Sequence, residues 1–304
     1  MHILPDKKGS LTRSFIFLCV FICLVLLPLS NVCAAVLLTI DGAKLLAERN
    51  GAIFVDARPV ADFNALHIDG AVSIPSNETF KKAGRSDLVA SMIEMRDLLN
   101  RVGVSPSSRL IVYGENNYQD ISRVFWVLEM FGVKEAFIMN DSFITWQKRG
   151  YGIESGRQLV KQGNAYPALR EEKLASMLMV FLAIDDEKDA IIDARSELEY
   201  KGVESKTGVY GHIPSAINIP WHDNLNKARS QFRSDEGLRR LYQGVSEKKM
   251  NTVYCNKGKK SALSYVALRQ LGANVRAYDG SWYEWSLHPG LPREVNKLFG
   301  LSGI

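Results

Sequence analysis

Cysteine is scarce in this chain. Four thiols occur in 304 residues, at Cys19, Cys23, Cys33 and Cys255, and three of them lie in or beside one apolar N-terminal stretch. So few cysteines exclude the cross-linked framework of a small secreted domain. Zinc-finger spacings and paired His or carboxylate ligands are also missing, so no resident metal is expected. Lys and Arg form no long stripe, and the net charge of +5 is partly carried by Lys7, Lys8 and Arg13. A mixed solvated surface accounts for that charge, and nucleic acid is not an expected partner. No low-complexity tract occurs, and beyond residue 29 no stretch is long and apolar enough to cross a membrane. What remains, 46% hydrophobic and 23% charged, is a globular composition with room for two domains.

The N-terminus has three parts. Lys7, Lys8 and Arg13 precede an apolar run over residues 15–29, and Ser30-Asn31-Val32-Cys33-Ala34-Ala35 follows. A basic stretch, an apolar core and small residues at a cut site make a secretory signal peptide. Cutting after Ala34 would leave Val32 and Ala34 at the two positions that prefer small side chains. Lipoprotein processing at Cys33 is disfavoured, because Val32 is bulkier than the residue that cut prefers. An uncleaved membrane anchor is the competing reading, though the run is short of the roughly 20 residues a spanning helix needs. The expectation is a signal peptide at 1–34 and an exported, periplasmic protein that meets a membrane only if the segment stays attached. Export would leave Cys255 as the sole thiol, with no internal disulfide partner. Its value is then chemical.

The rest of the chain states one pattern twice. Ala52-Ile53-Phe54-Val55-Asp56-Ala57-Arg58 is matched by Ala190-Ile191-Ile192-Asp193-Ala194-Arg195. His67-Ile68-Asp69-Gly70-Ala71-Val72-Ser73-Ile74-Pro75 is matched by His212-Ile213-Pro214-Ser215-Ala216-Ile217-Asn218-Ile219-Pro220. Leu110-Ile111-Val112-Tyr113-Gly114 pairs with Thr252-Val253-Tyr254-Cys255, and aromatic turns at 141–146 and 279–285 close each copy. Short β-branched runs read as buried strands, and helical spacing over residues 88–102 and 261–271 reads as helices between them. Alternation of the two predicts a parallel sheet covered on both faces in each copy. The expected division is a first domain at 35–155, a linker at 156–175 and a second domain at 176–304.

Cys255 ends a strand and opens the turn Asn256-Lys257-Gly258-Lys259-Lys260 before a helix expected near Ser261. Ligands of α/β sheets bind outside the carboxyl ends of strands. Successive N–H groups in a turn, with a helix start behind them, make a nest for an anion. Gly258 permits the left-handed angles of such a curve, and three lysines add positive charge. A thiolate, the reactive form of cysteine, is favoured there. The plainer alternative is a small buried hydrophobe at a strand end. A nucleotide loop does not fit the glycine and lysine spacing. A Cys–His protease would need a positioned imidazole, whereas His67 and His212 sit at matched repeat positions and are expected to be satisfied structural residues.

Taken together, these motifs resemble the rhodanese family of sulfurtransferases in its tandem form, over roughly residues 40–293. The resemblance implies two rhodanese-like α/β domains, each a parallel sheet flanked by helices on both faces, and no cofactor. It implies that the second copy is catalytic and that the first, with Gly114 in place of the cysteine, is structural. Cys255 would take a sulfane sulfur from a small anionic donor such as thiosulfate and pass it to cyanide, a thiol or a protein acceptor. Asn256, Lys257, Gly258, Lys259, Lys260 and Ser261 would bind the donor, and Asp193 and Arg195 would shape the loop or form an ordinary strand-end ion pair. Lys260 stands where arginine is frequent, and two departures stand out. Glu199 sits where thiosulfate and mercaptopyruvate enzymes often have arginine. The loop also lacks the small Cys-Gly-Ser-Gly form typical of mercaptopyruvate enzymes, so that Lys257 favours thiosulfate or another sulfane donor. Polysulfide or a selenium or tellurium oxyanion stays open as a donor. A non-enzymatic sulfur carrier or assembly partner is the alternative function. An oxyanion phosphatase or arsenate reductase ranks lower, because lysine cannot clamp an oxyanion as an arginine fork does.

Overall fold

The computed structural model describes residue 2 and residues 35–84, 87–157 and 162–295. The expected leader at 1–34, with Cys19, Cys23 and Cys33, lies outside the described residues apart from residue 2.

Eleven strands and ten α-helices are described. The first copy contributes β1 (Leu37–Leu38), β2 (Ile53–Asp56), β3 (His67–Ile68), β4 (Val72–Ser73), β5 (Arg109–Gly114), β6 (Glu135–Ser142) and β7 (Ile153–Glu154). Its helices are α1 (Ile40–Asn50), α2 (Val60–Ala65), α3 (Met92–Arg101), α4 (Tyr118–Met130) and α5 (Phe143–Lys148). The second copy contributes β8 (Asp189–Asp193), β9 (Ile217–Asn218), β10 (Met250–Tyr254) and β11 (Val275–Ala277). Its helices are α6 (Met177–Ala183), α7 (Glu197–Tyr200), α8 (Asp235–Leu241), α9 (Ser261–Gln270) and α10 (Ser281–Ser286). Between the copies, residues 162–170 carry no regular element and a 3-10 turn covers Glu171–Lys173.

Both main sheets are parallel and share one order. The first runs β1-β6-β5-β2-β4 and the second β11-β10-β8-β9. A single bridge from Leu174 to Ala277 takes, in the second sheet, the place that β1 holds in the first. Buried parallel strands read as nearly continuous apolar runs, which is what Leu110 to Tyr113 and Ala190 to Ile192 supply. A separate antiparallel pair, β3 with β7, ties His67 to Glu154.

Helix α3 starts later than the spacing predicts. The apolar rhythm begins at residue 88, but Ser91 is the N-cap, in a capping box with Glu94, and Val89 instead bridges Phe80. A hydroxyl that accepts from the third N–H stabilises that start better than continuing the periodicity backwards.

Helix α4 is the centre of the molecule. From Ile121 to Met130 every residue is buried, which a helix on one face of a sheet cannot achieve. It packs on both copies: one apolar cluster joins Val112, Phe125 and Trp126 to Val253, Tyr265 and Leu268. Its Glu129 accepts from Tyr265 Oη at 2.8 Å and pairs with Arg269 at 2.7 Å, satisfying a buried carboxylate. The matched histidines are also satisfied. His67 Nδ1 meets Phe63 O and His212 Nδ1 meets Tyr200 O, each at 2.7 Å.

Candidate active site

β10 lies between β8 and β11, with Tyr254 opposite Asp193, so the chain leaves the sheet at Cys255 from an interior strand. Cys255 is the free cysteine of the described residues and is 1% exposed. It nevertheless belongs to none of the three apolar clusters of the core.

Three carbonyls of the turn are pinned. Cys255 O accepts from Trp282 N–H at 2.9 Å and Asn256 O from Tyr283 N–H at 3.0 Å. Gly258 O accepts from Arg123 Nη1 at 3.2 Å. In a trans peptide the N–H of the next residue points opposite to the carbonyl. The N–H groups of Asn256, Lys257 and Lys259 are therefore turned away from these partners. Those three, with Lys260 and Ser261, have no protein acceptor among the described residues. These are the amides that the expected anion nest would use, at the start of α9.

Beneath the turn, Ser281 Oγ accepts from Cys255 N–H at 3.3 Å and Gly258 N–H at 3.1 Å, and donates to Tyr278 O at 2.8 Å. Ser281 holds φ at +53°, a costly angle for a residue with a Cβ. Gly258 has φ +73°, and a Cβ there would collide with Asp279 Oδ1. Both backbone outliers serve the same curve.

The three lysines separate. Lys257 is exposed, with Nζ 4.6 Å from the Tyr283 ring centroid, and Lys259 pairs with Asp120 of the first copy at 2.6 Å. Lys260 is half-buried, 5.8 Å from the Trp221 ring. Burial and the nearby Lys206 charge push its ammonium below the usual lysine range, while Glu199 and Cys255 oppose that shift. Ser261 Oγ and Asn256 Oδ1 are buried without a protein partner, leaving two polar atoms at the loop for a ligand to meet.

Glu199 faces this loop. It is 2% exposed, caps its own short helix through Ser196 and accepts from Asn256 Nδ2 at 2.7 Å. Burial pushes its carboxyl up, but the Asn256 bond, the Lys206 charge and the Ser196 bonds outweigh it, so the net shift is down. A charged carboxylate thus stands beside the nest.

Asp193 and Arg195 lie one layer lower. They form a buried ion pair at 2.6 Å, and Arg195 Nη2 donates to Gly211 O at 2.8 Å. Tyr254 Oη donates to Asp193 Oδ2 at 2.6 Å and accepts from Ile213 N–H at 3.2 Å, fixing the residue before Cys255. Burial would lower the guanidinium, but Asp193 more than compensates and raises it. The first copy repeats this set with Asp56, Arg58, Leu66 O, Tyr113 and Ile68 N–H. The set stands at the strand end of both copies, with Cys255 above it in one and Gly114 above it in the other.

Sequence reading missed Ser281, Arg123 and Asp120. Ser281 lies inside the aromatic turn at 279–285, next to Gly280, but nothing in the sequence marks its angle. Arg123 and Asp120 sit in the other copy, and no local pattern links them to the loop.

Comparison with known proteins gives the family of the two copies. The family model "Rhodanese-like domain" matches residues 39–149 and again 181–288. The sulfur carrier protein TtuD of Thermus thermophilus is 31% identical, covering 76% of this chain and 86% of its own. The 3-mercaptopyruvate sulfurtransferase of Escherichia coli is also 31% identical, covering 81% and 83%. The crystal structure of SseA from Escherichia coli, described by its "Rhodanese" fold, superposes with a TM-score of 0.72 at 24% identity, covering 82% and 99%. With two matched domains, a shared fold and an unpaired thiol in an amide nest, the chain belongs to the rhodanese family of sulfurtransferases.

Proposed function

We propose that Cys255 carries a sulfane sulfur as a persulfide, taken from thiosulfate or a similar anionic donor. The Cys255 thiolate attacks the outer sulfur of thiosulfate, a new S–S bond forms, the donor's S–S bond breaks, and its electron pair leaves with sulfite. A thiophilic acceptor then attacks the outer persulfide sulfur, and the electron pair returns to Cys255 as thiolate. The N–H groups from Asn256 to Ser261 stabilise the anions of both steps. Lys260, whose charge reaches Cys255, and Lys257 at the exposed rim attract the donor. The observation that supports this reading is the pinning of three carbonyls onto Trp282, Tyr283 and Arg123, which turns the following amides away from those partners and leaves them free for an anion.

Glu199 disfavours an anionic donor at its side of the loop, since like charges at one site repel, and it weighs more on the thiosulfate dianion than on the 3-mercaptopyruvate monoanion. Thiosulfate and 3-mercaptopyruvate must therefore be compared directly. The test is intact mass spectrometry of the protein after each donor. One added sulfur on Cys255, lost again to cyanide, is expected, and Cys255→Ser should gain none. Equal transfer by Cys255→Ser would sink the proposal. The likeness to a sulfur carrier supports a second reading, that loading is stoichiometric and turnover slow. Negligible turnover across cyanide, thiols and protein acceptors would establish that one.

The residues before Val36 support a further part of the proposal, that the chain is exported and cut after Ala34. The mass of the protein recovered from its own compartment decides it; an intact N-terminus in the cytoplasm overturns it.

A further inference from the structure

We infer that Arg123, on a helix of the copy without a nucleophile, is a positioning residue for the Cys255 loop. This rests on Cys255 being the sulfur-bearing residue.

Arg123 is fully buried in α4. A guanidinium at that depth is costly unless its partners are fixed. Nη1 donates to Asp279 Oδ1 at 2.6 Å and to Gly258 O at 3.2 Å. The guanidinium carbon lies 4.2 Å from the Phe80 ring and 4.7 Å from that of Trp126, so its plane is held from the sides. The other oxygen of Asp279 accepts from Val89 N–H at 2.5 Å, which links this second-copy carboxylate to the first copy. Gly258 is fitted around the pair: a Cβ there would come within 3.0 Å of Nη1 as well as striking Asp279. One turn earlier on the same face of α4, Asp120 holds Lys259.

The consequence follows from peptide planarity. α10 orients the Asn256 and Lys257 amides by donating to the carbonyls before them. No backbone donor does this for the Gly258–Lys259 peptide. Arg123 does, so the Lys259 N–H is aimed into the nest by a side chain from the other copy. Nη2 has no acceptor among the described residues, so Nη1 alone joins the guanidinium to the turn and to Asp279. The first copy thus supplies one part of the anion site, although it has no thiol.

The test compares Arg123→Met and Arg123→Lys with the parent in the full chain. Two readouts separate positioning from mere support: kcat per Cys255 that can be loaded with sulfur, and the pH profile of Cys255 alkylation by iodoacetamide. Arg123→Met is expected to lower kcat per loadable site about 10- to 100-fold with KM nearly unchanged, less than the roughly 100- to 1000-fold cost of removing a donor outright, because the Lys259 amide is misaimed and not lost. Its alkylation midpoint should move to higher pH. Arg123→Lys keeps the charge without the planar fork and should recover part of the rate and most of the alkylation profile. Should Arg123→Met fail to fold, Arg123→Lys decides: a kcat per site and a profile equal to the parent overturn the inference. The inference also falls if Arg123→Met only reduces the loadable fraction. Failure of the sulfur-transfer reading looks different, because the parent itself would then take up no sulfur while still reporting its loop through alkylation.

Discussion

The two strand-end turns of this molecule stand on the same foundation and do different things. In both, an Asp–Arg pair at the end of one strand is held by a carbonyl, and a tyrosine from the next strand bonds back across it. Above that layer they diverge. The first copy has Gly114 where Cys255 stands, then Glu115, Asn116 and Asn117, and a hollow of about 180 Å³ lined by Arg58, Gly114, Glu115 and Asp120. Burial pushes the Glu115 carboxyl up, and Arg58 is its closest cation, at 3.8 Å. The second copy has a thiol, turned amides and Ser281 beneath them. The Asp–Arg foundation is common to the two copies, and the turn above it is what differs.

The largest expected contrast is at Gly258. Gly258→Ala forces a side chain onto Asp279 at a left-handed angle, and sulfur transfer should fall about 100-fold as the amides lose their aim. The matched residue Asn117 has φ −92°, and Asn117→Ala should leave transfer unchanged in the same assay. Equal losses at both positions would break the division between the copies.

Next come the two arginines. Arg195→Ala and Arg58→Ala each leave a fully buried aspartate unpaired and should each cost about 3–5 kcal/mol in denaturant unfolding. A cost confined to Arg195 would mean that its role belongs to the active turn alone.

Glu199→Gln is a smaller probe. Removing its charge beside the nest should lower KM for thiosulfate about 3- to 10-fold, within the spread of one exposed-to-buried charge contact. Glu115→Gln should do nothing to that constant.

The smallest effect is in pH. Lys260 is protonated below its depressed value and neutral above it, so its attraction for an anionic donor is present at neutral pH and lost as pH rises. KM for thiosulfate should therefore climb on the alkaline side earlier than the ordinary lysine value of 10.5 would allow. In Lys260→Arg that climb should disappear, because a guanidinium keeps its charge. An unchanged alkaline limb would remove Lys260 from donor binding.

Much of this architecture was legible because a duplicated chain repeats its own strands. Runs such as Ile53 to Asp56 and Ala190 to Asp193 are short, apolar and followed by the same Asp-Ala-Arg ending. The turn at Cys255 was legible for a local reason too, since cysteine, glycine and the helix start are neighbours. What escaped is non-local or angular. Arg123 meets Gly258 across 135 residues, and the pattern of α4 shows only that it is buried. Ser281 adopts a backbone angle that serine does not advertise. Glu199 stood out only as a departure from the family's arginine, and the folded chain is what turns it toward Asn256.

Helix α4 has one more implication. Because Phe125, Trp126 and Val127 are fully buried, part of their shelter comes from helix α9, encoded more than a hundred positions later. A translated first half would carry a greasy rod with one flank bare until its sister arrives. Expressed as separate polypeptides, the halves should dissolve together and precipitate alone.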